Sequence, residues 1–160
     1  MKVIYVGGLV AALGISAGNA SAQGVTEPQI AAIVVTANQV DIDAGKLAAA
    51  RGTDPEVKKY GEQMVAAHTG VNKSATELVT KLKVKPEENA TSKALQAGGD
   101  KNLANLKSLK GGAFDKAYID NEVTYHLAVL ETATAAMNAA QNAELKNLIQ
   151  KAAPAIQAHY

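Results

Sequence analysis

The chain has 160 residues with a formal net charge of +1, 48% hydrophobic side chains, 4% aromatic and no cysteine. A large sandwich or barrel is excluded by the scarcity of aromatic cross-strand partners, and intrinsic disorder by the apolar content. A balanced charge leaves no basic surplus for nucleic acid, and the lack of cysteine removes disulfides, thiolate metal sites, cysteine catalysis and a lipoprotein anchor. Alanine, the strongest helix former, makes up 20% of the residues, so the expectation is an all-α domain.

Residues 1–22 have the make-up of a signal peptide. Met1-Lys2 is a short positive start, Val3 to Ala17 is almost wholly apolar, and Ala20-Ser21-Ala22 supplies small residues for cleavage after Ala22. The apolar run falls short of the roughly 20 residues that span a bilayer. The expected mature domain is 23–160, with 15 basic and 15 acidic side chains, no transmembrane segment and a periplasmic or secreted location.

Punctuation then divides the chain into four principal helices. Thr26-Glu27-Pro28 opens the first, about Thr26 to Arg51, and Gly52 closes it. Asp54-Pro55 starts the second after a link too short for anything but an antiparallel hairpin, and Pro86 stops it near Lys83. The polar stretch to Gly112 reads as a crossover holding a short extra helix around Asp100 to Leu109. The third helix covers about Ala113 to Ala139, and Asn142 caps a fourth in which Pro154 predicts a kink. A weak repeat, Asp54-Pro-Glu-Val-Lys-Lys-Tyr against Asn142-Ala-Glu-Leu-Lys-Asn-Leu, marks the second helix of each of two hairpins. Two helical hairpins joined by a long crossover make a ferritin-like four-helix bundle.

All three histidines fall on apolar faces. His68 interrupts the stripe Val57, Tyr60, Met64, Val71, Leu78 and Leu82, and His159 follows Leu145, Ile149, Ala152 and Ile156. His126 and Glu122 share the face of Tyr118, Ile119, Val129, Ala133 and Met137, opposite Asp120, Thr124, Glu131 and Asn138. On the first helix Asp41 interrupts Ile30, Val34, Ala37, Ala44 and Ala48, whereas Asp43 lies off the stripe and is expected to be solvated. Asp41 and His68 lie about 20 Å from their shared turn, and His126 and His159 about 24 Å from theirs. Each hairpin therefore carries two such side chains at matching height, and the four converge if the hairpins pack with their long axes aligned.

Buried polar groups must satisfy one another, bind water or bind metal. Asp41, His68, Glu122, His126 and His159 are thus the candidate metal ligands, with a hydrogen-bonded network as the competing expectation. Three imidazoles with one or two carboxylates suit Zn, Cu, Ni or Fe. A carboxylate-rich di-iron oxidase would carry Glu-x-x-His on two helices, but Val65, Val123 and Ile156 stand three before the histidines. No phosphate loop, nucleophile elbow or serine triad is present, so no reaction is implied. No sequence feature identifies a protein partner.

Several segments carry a resemblance. Gly45-Lys46-Leu47-Ala48, Asp54-Pro55-Glu56-Val57-Lys58, Met64-Val65 before His68, Gly112-Ala113-Phe114-Asp115-Lys116-Ala117-Tyr118, His126 and Pro154 before His159 span about Ala31 to Tyr160. In these the chain resembles the bacterial exported family called domain of unknown function 4142, often labelled outer-membrane protein and regarded as ferritin-like. The resemblance implies export and that fold, and no reaction. Asp41 and Asp43 stand where the family pattern has Glu. The expected role is metal binding or stress protection in the envelope, with a non-enzymatic structural or interaction module as the alternative.

Overall fold

A computed structural model of the chain describes residues 25–159, so the expected leader and cleavage point lie outside the described residues. Five helices and no strand occur among them: α1 (Glu27–Arg51), α2 (Pro55–Leu82), α3 (Ala90–Ser108), α4 (Gly111–Ala139) and α5 (Ala143–Ala158). The helix starts are chemically explicit. Thr26 and Gln29 form a capping box on α1, the Asp54 carboxylate accepts from the Glu56 N–H on α2, and the Asn142 amide oxygen accepts from Glu144 and Leu145 on α5. The two repeated segments are therefore matching caps. α5 continues through Pro154 as one helix, with no N–H there for the Gln150 carbonyl.

α3 corrects the reading of the crossover. It has 19 residues and begins well before the short helix expected around Asp100 to Leu109, because Asn89 and Ser92 cap each other at its start. Gly98-Gly99 does not break it: Gly99 packs on α1, where an added Cβ would lie 2.7 Å from both Val40 methyl groups. With α2 on one side, α3 on another and α4 beyond, α1 becomes the central helix. Ile30, Ala31, Ala32 and Ile33 are all buried in succession, so its apolar surface is far wider than the single expected stripe.

α1 and α2 approach closely at Gly45 and Gly61. A Cβ on Gly61 would stand 2.7 Å from the Gly45 carbonyl oxygen, and one on Gly45 would stand 2.8 Å from that of Gly61. The small-residue composition is spent here on helix contact. α4 and α5 form the second hairpin, and side chains tie the two together at their ends. The Asp115 carboxylate accepts from the backbone N–H groups of Thr53 and Asp54, each 2.9 Å away, at the entry to α2. The Arg51 guanidinium donates to the Leu109 carbonyl at 2.7 Å and lies 5.2 Å above the Phe114 ring. At the opposite end Glu27 accepts from the Asn142 N–H at 2.7 Å.

The apolar core gathers Phe114, Tyr118, Leu106 and Ala48 toward one end, and Ile30, Ala140, Leu145 and Ile149 toward the other. Ala37, Val129 and Ile156 form a third group. One inward assignment on α4 is wrong: Ile119 is exposed, because that helix buries only the sector defined by Phe114, Tyr118, Glu122, His126 and Val129. No described helix is long and apolar enough to cross a membrane.

Candidate metal centre

Asp41 from α1, His68 from α2, Glu122 and His126 from α4 and His159 at the end of α5 come together inside the bundle. Asp41, His68, Glu122 and His126 are buried, and His159 is half-buried. Helical spacing explains the placement: Glu122 and His126 are one turn apart on the buried face of α4, and Asp41 replaces an apolar residue between Ala37 and Ala44. Asp43 is half-exposed as expected, accepting from Gln39 and pairing with Lys46.

Second bonds fix the rings. The Asn38 amide donates to the Val34 carbonyl at 2.7 Å, which turns its oxygen toward His68 Nδ1 at 2.8 Å. Asn38 must then accept, so His68 Nδ1 carries the hydrogen. His126 Nδ1 likewise donates to the Glu122 backbone carbonyl at 2.8 Å. Each ring is left with Nε2 aimed at the centre as an electron-pair donor whenever it is neutral. A histidine that gives one N–H to a carbonyl or amide and offers its other nitrogen is the usual second-sphere arrangement of a metal ligand.

The inward atoms crowd one point. His68 Nε2 and His126 Nε2 lie 3.0 and 3.1 Å from Asp41 Oδ2 and 3.4 Å from each other. His159 Nδ1 lies 3.3 Å from His126 Nε2. Both Asp41 oxygens are buried without a directed hydrogen bond among the described residues, and Oδ2 stands at ion-pair distance from both rings. Three imidazole nitrogens and a carboxylate converging without a donor repel one another until a cation, proton or metal, sits among them. For bonds of 2.0–2.1 Å, the edge of a tetrahedron is about 3.4 Å. The distances around His126 Nε2 are of that size.

Burial and charge sort the two carboxyl groups. Burial alone raises the Asp41 pKa, but interaction with the His126 and His68 rings outweighs it and holds the group well below its usual range. Glu122 is pushed up to about 10 by burial and then by the neighbouring Asp41 charge, so it stays protonated at neutral pH. Asp41 is thus the anionic candidate ligand and Glu122 a neutral neighbour. His159 is pushed down to about 4 by burial and by His126 and His68, which keeps its ring neutral and able to ligate.

All five candidates from sequence meet, in two overlapping groups that share His126: one with His68 and His159, the other with Asp41 and Glu122. Asn38 was missed. Its signal was a poor helix former in a helix interior, one turn before Asp41. Three tyrosines also surround the site; Tyr60 and Tyr118 were legible only as apolar-face residues, and Tyr125 was missed. Tyr60 donates to the His159 carbonyl, holding the C-terminal ligand candidate in place, and Tyr125 donates to the Ala37 carbonyl at 2.7 Å. The buried Tyr118 hydroxyl has no hydrogen-bond partner among the described residues, and burial with the nearby Glu122 and Asp41 raises its pKa.

Neither curated proteins nor solved structures give a match. The family comparison does, and it covers the whole described bundle: over residues 14–160 the chain matches the model of a domain of unknown function, DUF4142, and it belongs to that family.

Proposed function

We propose that this protein is an exported, ferritin-like bundle that binds one first-row transition metal in the cell envelope, as a binding or stress-protective protein more than as an enzyme. The single observation that carries this reading is the gathering of His68 Nε2, His159 Nδ1 and Asp41 Oδ2 around His126 Nε2, each 3.1–3.4 Å from it. The second-sphere bonds from Asn38 and the Glu122 carbonyl support it, because they orient two rings in the tautomer that ligation needs. Nitrogen-rich ligation with one carboxylate fits Zn, Cu, Ni or Fe. Export rests on the composition of residues 1–22.

The test is metal analysis of protein produced without a histidine tag, followed by cobalt(II) loading of chelator-treated protein. One equivalent of metal and the intense visible bands of tetrahedral cobalt are expected, with both lost in His68→Ala and His126→Ala. A protein that takes up no stoichiometric metal and stays folded in chelator would have a hydrogen-bonded interior instead, and the metal reading would be abandoned.

A further inference from the structure

A second feature adjoins the histidine cluster and stands apart from the metal reading. A cavity of about 240 Å³ runs between the two hairpins. It is larger than the roughly 150 Å³ engineered cavity that holds benzene, and voids of that size are uncommon in close-packed interiors. Its wall on α5 extends from Leu148 to His159. At 1.5 Å per residue that is about 16 Å, so the space is long and narrow.

The wall is almost entirely aliphatic, with Ile33, Val71, Val129, Ile149 and Ile156 contributed by all four surrounding helices. Its polar side chains are nearly all engaged. Thr132 donates to the Ala128 carbonyl, Asn38 bonds the Val34 carbonyl and His68, and the second nitrogen of His68 faces Asp41. His159, which faces His126 through Nδ1, lines the space at the far end of its α5 wall. A narrow aliphatic space with a histidine ring at one end selects a narrow molecule with one polar end.

We infer that the cavity binds an unbranched alkyl chain carrying one oxygen-bearing head group, hydroxyl or carboxylate, with the tail among Ile33, Val71, Ile149 and Ile156 and the head at His159. Burial of the tail supplies the attraction, and the His159 ring supplies the polar contact.

The experiment is methyl NMR on the purified full chain, titrated with 1-octanol and, in a parallel arm, with octanoate. Saturable shifts confined to Ile33, Val71, Val129, Ile149 and Ile156 are expected. The stronger arm identifies the head as hydroxyl or carboxylate. Ala133→Phe, which fills the wall from α4, is expected to weaken binding at least about ten-fold. If that variant does not fold, Ala152→Phe fills the space from α5, and the wild-type shift map stands without either. Absence of saturable shifts in both arms, or shifts centred on the exposed Ile119, Val123 and Leu127 instead, overturns the inference. The result is read on methyl groups irrespective of metal content, so it is distinct from failure of the metal site.

Discussion

His126→Leu separates a metal centre from an apolar core with polar decoration. His126 is wholly buried, and its Nε2 lies 3.1 Å from Asp41, 3.4 Å from His68 and 3.3 Å from His159. Leucine approximates its volume and removes the central donor. If the site binds metal, free ion at 100 times Kd stabilises the native state by about 2.7 kcal/mol, which for a domain of this size raises Tm by about 10 °C. A variant whose affinity falls about 100-fold retains only about 0.4 kcal/mol at the same ion concentration, a shift near 1–2 °C. The metal-free variant, in contrast, loses one of four mutually repelling donors and is expected to melt within a few degrees of the metal-free wild type. Differential scanning calorimetry of both proteins, with chelator and then with zinc, nickel or copper, measures each quantity. An equal metal-induced shift in the two proteins, or none in the wild type, would refute the reasoning.

Other predictions follow from particular contacts. Gly61→Ala would place a methyl group 2.7 Å from the Gly45 carbonyl oxygen and 2.9 Å from the Ala49 nitrogen, both backbone atoms that cannot yield locally. A loss of about 3 kcal/mol is expected in denaturant titration, and an unchanged midpoint would show that the two helices are not packed this closely. Asp115→Ala strands the Thr53 and Asp54 N–H groups and is expected to cost about 2–3 kcal/mol, with Asp115→Asn recovering part of it. Equal losses in the two variants would deny the hydrogen-bonding role.

The pH dependence of the metal-free protein has two opposed parts. His159 is neutral in the fold down to about 4 but ordinarily protonates at 6.5, so its share of stability is lost as pH falls through that interval. Glu122 holds its proton up to about 10 although it ordinarily ionises at 4.5, so stability falls as pH rises across that range. Glu122→Gln should therefore flatten the alkaline decline in a thermal-melting series from pH 7 to 9. A decline of undiminished slope would show that Glu122 is not its source.

Much of this molecule was legible in the sequence because helices carry their own punctuation. Thr26, Asp54 and Asn142 begin helices as caps, and the 3.6-residue period turned Asp41, His68, Glu122, His126 and His159 inward. Equal distance from each turn matched their heights, since rise per residue is constant along a helix. The length of α3 was not legible: Gly98-Gly99 reads as a break, and only contact with Val40 makes a residue without a side chain favourable there. Nor was the encirclement of α1, because a stripe records one neighbour and α1 has three. Periodicity could place the histidines in the interior, but it could not tell which nitrogen faced inward. That was decided by Asn38 and the Glu122 carbonyl, partners that hydrogen-bond in three dimensions and so turn the Nε2 atoms of His68 and His126 toward Asp41.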